Sequence, residues 1–215
     1  MEMRFKDKCE DYYKTRTHII NLLPFIKGRY LEVGCGDGKT LEYLKAKGAS
    51  YVAGIDINKK AIEIASQKSL DFVLCADVEK DFLPFKEQEF DGIIFADVIE
   101  HLYNPWDTLK EMMSYLKDDG HVLLSIPNIK NYYLLKKLIF HDEWSYSEWG
   151  LLDNTHIRFF TLKEIIKLLD YAGLKMLDFK CNIGLAGIFK IVNILLFNKL
   201  RSFAVIQYYI IANKK

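Results

Sequence analysis

The sequence predicts an α/β fold, a parallel sheet wrapped by helices. Three observations carry this. From Tyr30 to Asn128 short β-branched runs alternate with helical stretches. The first run ends in a glycine-rich turn, "LEVGCGDGKT", that leads into helix formers. The second and third runs each end in an aspartate, Asp56 and Asp77, at the strand ends where open parallel sheets bind ligands.

Taken in order, Asp7 to Leu23 reads as one helix stopped by Pro24. Strands follow at Tyr30–Gly34, Tyr51–Ile57, Phe72–Asp77, Phe90–Val98 and His121–Asn128, each rich in Val, Ile, Phe or Tyr. Helices of roughly Lys39–Lys47, Lys59–Lys68 and Trp106–Leu116 fit between them, and Lys47–Gly48 and Asp118–Gly120 read as helix-ending turns. The rhythm breaks between Asn128 and Thr161. A long connection of that kind inside a compact domain is usually a lid or a substrate loop. Thr161 followed by Glu164 is a capping box that opens a helix ending at Gly173. Leu174–Asn182 is a sixth strand and Phe203–Asn213 a seventh, with an apolar stretch, Ile183 to Leu200, between them.

At 215 residues, half of them apolar, the chain suits a single domain with a sizeable core. Within it, residues 1–28 form a helical cap, 29–128 the ligand-binding core, 129–160 a substrate or lid insertion, and 161–215 a C-terminal part with an apolar insertion at 183–200. A formal charge of +1 gives no bulk attraction to nucleic acid. The four cysteines, Cys9, Cys35, Cys75 and Cys181, lack zinc or disulfide spacing and suit reduced thiols. The charged start has no secretory h-region, so a cytoplasmic location is expected.

A glycine turn lets backbone N–H groups approach a ligand at a helix N-terminus. Here the glycines are Gly34, Gly36 and Gly38, whereas a dinucleotide fingerprint needs its third glycine at position 39, which is Lys39. Asp56, about twenty residues on, can hydrogen-bond both hydroxyls of a ribose. Glu32, Asp37, Asp56, Asp77 and Asp97 face only Lys39 in this reading, which suits a ligand with a cationic part rather than a pyrophosphate.

"LEVGCGDGKTLEYL", "GIDIN", "CADVE", "FDGIIFADVIEHL" and "GHVLLSIPN" stand in the order and spacing found in class I S-adenosylmethionine-dependent methyltransferases, which the chain resembles closely over Tyr30–Asn128 and loosely elsewhere. The resemblance implies a Rossmann-like, seven-stranded, mostly parallel sheet whose last strand enters antiparallel between the fifth and sixth. It implies S-adenosyl-L-methionine as methyl donor. The turn at Gly34, Gly36 and Gly38 would lie against the amino-acid end of the cofactor with Glu32 beneath it. Asp56 would take the ribose, Asp77 the adenine amino group, Ile57 and Val78 the adenine faces, and the backbone at Ala96 the methionyl end.

Methyl transfer to a hydroxyl needs a group that takes its proton, and histidine suits that task. His101 closes "ADVIEH" at the carboxyl end of the fourth strand, although a histidine there can equally start a helix. His156, in "DNTHIRFFT", precedes the helix capped by Thr161 and is expected, with Arg158, to face the same crevice from the other side. Phe159 and Phe160 read as core, and Arg158 as a partner for Asp153. Similar segments occur in methyltransferases of surface-polysaccharide pathways and in methionine-biosynthesis protein W. Asp97, Glu100 and His101 resemble the E-x-x-E-H of ubiquinone-biosynthesis O-methyltransferases, which bind a divalent metal there. Aspartate in place of the first glutamate weakens that match, and an edge without metal is the reading preferred.

The expected activity is methylation of a small-molecule acceptor, most simply at a hydroxyl of a sugar, a lipid-linked glycan or a quinone-like compound. The alternative is a cofactor-binding regulatory or partner protein like methionine-biosynthesis protein W. Tyr12, Tyr13 and Arg16 on the first helix rank below the sheet-edge residues. "NYYLLKKLIF" and "GLAGIFKIVNILLFNKLR" are too short or too interrupted to span a bilayer. They are expected to pack on the protein itself, with peripheral membrane contact or a homodimer interface as the other options.

Overall fold

The computed structural model describes residues 15–184, 194 and 199–215. The expected helix over Asp7–Leu23 lies partly outside these residues, as do Tyr12, Tyr13 and most of the Ile183–Leu200 stretch.

Seven strands form one sheet: β1 (Gly28–Val33), β2 (Ala49–Asp56), β3 (Phe72–Cys75), β4 (Phe90–Ala96), β5 (Leu116–Pro127), β6 (Leu174–Ile183) and β7 (Val205–Lys214). Their order is β3-β2-β1-β4-β5-β7-β6. The first five are parallel, while β7 runs antiparallel to both β5 and β6. The expected fold class, last strand included, is the one observed.

Both faces of this sheet are covered, so alternate residues of each central strand enter two separate cores. Leu31, Val33, Ile93, Phe95, Val122 and Leu124 face one core. Tyr30, Ile94 and Leu123 face the other. The helices α1 (Thr17–Ile20) and α2 (Lys39–Ala46) pack Ile19, Ile20, Leu41 and Leu44 onto the second face. On the first face, α4 (Pro105–Met112) and α6 (Leu162–Tyr171) bring Leu109, Met112, Ile165 and Leu168. Helix α3 (Lys59–Ala65) follows β2, and Asn58 caps it by accepting from the Lys60 and Ala61 N–H groups. Thr161 caps α6 through the Glu164 N–H as the sequence predicts. The Glu164 carboxylate turns outward to Lys167, 2.9 Å away, rather than closing the capping box.

Several boundaries differ from expectation. The first helix ends at Ile20 with Asn21 as its C-cap, before Pro24 is reached. Helix α4 stops at Met112, and Leu116 already pairs with Phe90. The ladder resumes with His121 opposite Gly92, so "DDG" is a bulge within one strand rather than a turn that ends a helix. Strands β3 and β4 stop at Cys75 and Ala96, which leaves Asp77 and Asp97 on the loops beyond the sheet edge. The final strand is preceded by a short helix, α7 (Arg201–Ala204).

The excursion contains a helix that the sequence pattern does not announce, α5 (Tyr132–His141). Asn131 caps it by accepting from the Tyr133 N–H, and the Asn131 amide donates to the Val205 carbonyl. Among its residues only Leu134 is buried, while Tyr133, Leu138, Ile139 and Phe140 are exposed. The expectation that this segment packs on the protein itself fails for those four side chains. No helix among the described residues is long and apolar enough to cross a membrane.

Candidate active site

The carboxyl ends of β1, β2 and β4 open onto a cleft of about 690 Å³. Of the glycine turn, Gly34 lines this cleft, while Gly36 and Gly38 shape the turn behind it. Gly34, Gly36 and Gly38 all have left-handed backbones, with φ of 71°, 53° and 81°, which a side chain would strain. Space also matters: a Cβ on Gly34 would lie 2.5 Å from the Val98 side chain, and one on Gly38 would lie 2.6 Å from that of Leu70.

Asp56 organises the turn from β2. Its carboxylate accepts the Gly36 N–H at 2.7 Å and the Asn58 N–H at 2.7 Å. Burial pushes its pKa up, and those N–H bonds oppose the rise. Ile57, Val78, Ala76 and Leu102 make the cleft apolar beside Asp56, with Asp77 on the same wall and Ala96 across from it. Asp77 accepts the Glu79 N–H and pairs with Lys80 at 2.7 Å.

A smaller hollow of about 230 Å³ adjoins the cleft at Arg16 and Gly34 and is lined by Glu32, Asp37, Lys39 and Thr40. Burial raises the Glu32 pKa to about 8, and the Arg16 charge is the largest effect working against that rise. The neutral form is therefore favoured at pH 7 in the protein without ligand. The sign for stability follows. Glu32 stabilises the fold fully below its ordinary pKa of about 4.5, and that contribution is lost as pH rises toward 8. A Glu32→Gln variant is expected to gain on the wild type between pH 5 and 8, by at most about 1.4 kcal/mol per pH unit, and by nothing further above that. Thermal melts across this range check it, and parallel curves would refute it.

From the sequence Lys39 alone faces the acidic groups, and the structure corrects that. Lys39 pairs with Asp37 at 3.0 Å, and Arg16, ranked low, is a second cation lining both hollows. Arg16 pairs with Asp97 at 2.8 Å. Asp97 has φ 58°, an unusual left-handed backbone for a non-glycine residue just past a strand. Its second oxygen accepts from Ser125 at 2.5 Å and from Gln207. Spacing alone could not reveal this link, because it joins β5, β7 and the N-terminal segment.

His101 lines the cleft at the end of a 3₁₀ turn, Ile99–His101. Its Nδ1 lies 3.1 Å from the Thr155 carbonyl oxygen. A carbonyl only accepts, so Nδ1 carries the proton and Nε2 holds the lone pair of the neutral ring. Burial, helped by the neighbouring His156, lowers the His101 pKa to about 4, so the ring is neutral at physiological pH. His156 does not line the cleft itself. It packs behind His101 with ring centroids 4.7 Å apart, and its Nδ1 faces the Leu151 carbonyl at 3.1 Å. The excursion is pinned here, because the Ile157 and Arg158 N–H groups both donate to the Glu100 carbonyl. Arg158 turns away, donating to the Tyr103 carbonyl rather than pairing with Asp153. Asp153 instead accepts from the Thr155 N–H and hydroxyl. Phe160 is core, whereas Phe159 is 36% exposed against Trp144.

A parallel sheet of this order with a glycine turn, an acidic strand end and an apolar cleft defines the class I S-adenosylmethionine-dependent methyltransferases. A family model described as a methyltransferase domain matches residues 10–178, and the chain belongs to that family. It is 29% identical over 170 residues to an uncharacterized protein of Methanocaldococcus jannaschii, covering 79% of this chain and 75% of that one. It is 26% identical over 194 residues to a ubiquinone biosynthesis O-methyltransferase of Coxiella burnetii, covering 81% of each. A crystal structure of an S-adenosylmethionine-dependent methyltransferase from Archaeoglobus fulgidus superposes with a TM-score of 0.67 at 22% identity and 92% coverage of both chains. The protein is therefore an enzyme of this class, with S-adenosylmethionine as methyl donor.

Proposed function

We propose that the enzyme methylates a hydroxyl of a small-molecule acceptor, a sugar, a lipid-linked glycan or a quinone-like compound. The observation that carries this reading is the neutral His101 imidazole beside the cleft, its Nδ1 turned to the Thr155 carbonyl and its Nε2 buried just behind the cleft wall, where a bound acceptor has to uncover it. Such a group can take a hydroxyl proton as the carbon–oxygen bond forms. The relationship to ubiquinone O-methyltransferases supports a hydroxyl over a nitrogen or carbon nucleophile.

In this reading the cofactor's amino-acid end occupies the hollow beside Gly34 in the turn that Gly36 and Gly38 complete, where Glu32 would ionise against its ammonium. Asp56 takes the ribose diol and Asp77 the adenine amino group. Ile57 and Val78 sandwich the ring, and the Ala96 backbone meets the methionyl chain. His101, lining the same cleft, would then stand on the acceptor side. In-line displacement needs alignment and exclusion of water more than covalent help.

The exposed face of α5, with Tyr133, Ile139 and Phe140 beside Lys136, fits an acceptor held at a lipid surface. Flotation with anionic liposomes is expected to carry the protein, and no flotation at low salt would remove that element. For the main reading, deuteriomethyl-labelled cofactor is incubated with catechols, free sugars and polyprenyl-linked glycans, and products are analysed by mass spectrometry. An O-methyl product from one class is expected. Methylation solely on nitrogen or carbon would overturn the hydroxyl. No transfer in a cell extract, with cofactor binding intact, would favour the partner-protein alternative.

A further inference from the structure

The carboxyl group of Glu100 is buried without a hydrogen-bond partner among the described residues. Glu100 is 1% exposed, and this holds for both of its oxygens. Burying a carboxyl group without partners costs several kcal/mol, and native structures seldom tolerate it without a reason. The surroundings supply one. Glu100, His101 and His156 are all buried, and each offers a ligand atom within 4.8 Å of the others. The Nε2 of His156 lies 3.9 Å from a Glu100 oxygen.

Both imidazoles are held in the form a metal needs. Each points Nδ1 at a backbone carbonyl, Thr155 for His101 and Leu151 for His156, at 3.1 Å. That contact fixes the proton on Nδ1 and leaves Nε2 as the donor atom, the arrangement typically found behind metal-binding histidines. The two carbonyls belong to the excursion, whose backbone is tied to Glu100 through Ile157 and Arg158. One member of the cluster, His101, lines the cleft, while its Nε2 and both Glu100 oxygens are buried behind that wall, so an ion enters only if the wall yields.

We propose that Glu100, His101 and His156 bind one divalent transition-metal ion through the two Nε2 nitrogens and a Glu100 oxygen. The D-x-x-E-H segment points to a different set, Asp97 with Glu100 and His101, and the structure disfavours it. The Asp97 carboxylate is already committed to Arg16, Ser125 and Gln207. Two imidazoles with one carboxylate select zinc, iron(II) or cobalt over magnesium or calcium, which prefer all-oxygen sites. Ligand atoms around such an ion sit about 3 to 3.5 Å apart, so the three side chains need to close by roughly an ångström. The chemistry an ion here supplies is acidification of a coordinated hydroxyl, and that consequence alone rests on the hydroxyl acceptor proposed above. With the ion seated, the histidines serve as ligands and not as bases.

The test uses the whole chain after dialysis against chelator. Cobalt(II) is titrated in and followed by visible absorption, with zinc competition, while S-adenosylhomocysteine binding is measured separately on the same samples. One cobalt per chain is expected, displaced by zinc and not by magnesium. His156→Asn keeps a donor for the Leu151 carbonyl but removes the ligand, and is expected to weaken cobalt binding at least about 100-fold, as is Glu100→Gln. Asp97→Asn is expected to leave cobalt affinity within about threefold. No cobalt binding by wild-type protein that still binds S-adenosylhomocysteine overturns the site. So does an Asp97→Asn loss equal to that of His156→Asn. Cobalt binding without any O-methyl product leaves the metal site standing and defeats only the hydroxyl acceptor.

Discussion

Asp56→Ala is expected to weaken binding of S-adenosylmethionine and S-adenosylhomocysteine by about 1000-fold. The proposed ribose contact is only part of the reason. In the protein alone this carboxylate receives the Gly36 and Asn58 N–H groups, each at 2.7 Å, and so holds the glycine turn against the start of α3. Hydrogen bonds to charged groups contribute roughly 1.5–3 kcal/mol each. The variant loses such bonds to the ribose diol and leaves the two N–H groups without their acceptor in a buried turn. Asp56→Asn separates the two contributions, because its amide oxygen can keep one N–H bond while the charge is gone. It is expected to fall between wild type and Asp56→Ala. Calorimetry with S-adenosylhomocysteine, alongside thermal melts, measures both, and near-wild-type affinity in the alanine variant would place the ribose elsewhere.

How much of this was legible beforehand depended on whether a residue's meaning was local. The turn at Gly34, Gly36 and Gly38 was legible because positive φ at three nearby positions leaves few residue choices. Asp56 and Asp77 were legible because a parallel sheet sends successive strand ends to one edge. The start of α6 was legible from Thr161, since a cap is a contact three residues long. The position of β7 between β5 and β6 came from family resemblance alone, as no residue pattern distinguishes an antiparallel neighbour there. Helix α5 was missed because its apolar residues surround the axis instead of marking one face, and only Leu134 is buried.

Arg16 shows the opposite limit. On a helix face an arginine usually means solvent, and nothing within its own segment says otherwise. Its role emerges only from Asp97, which is held in turn by Ser125 and by Gln207, 110 positions along the chain from it. This cluster ties the N-terminal segment to β5 and β7 beside the cleft that Arg16 and Asp97 line, so groups from both ends of the sequence meet there. Glu100 is similar. Read as a neighbour of His101 it belonged with Asp97, whereas in space it belongs with His156.

Loss of either histidine is expected to lower turnover by about 10²- to 10⁴-fold while S-adenosylhomocysteine affinity changes less than about threefold. The informative substitution is asparagine. Its amide can donate to the Thr155 or Leu151 carbonyl as Nδ1 does, so His101→Asn and His156→Asn preserve the bond that anchors the excursion and remove only Nε2. Thermal melts near wild type with collapsed turnover would then assign the loss to the missing nitrogen and not to unfolding of the loop. His101 touches the cleft and His156 does not. If proton transfer by the cleft-lining imidazole alone were the whole of their function, His101→Asn would fall far further than His156→Asn. Equal losses mean that the two nitrogens act as one unit around Glu100. Two fully active variants would remove both from the chemistry and return the cluster to a structural role.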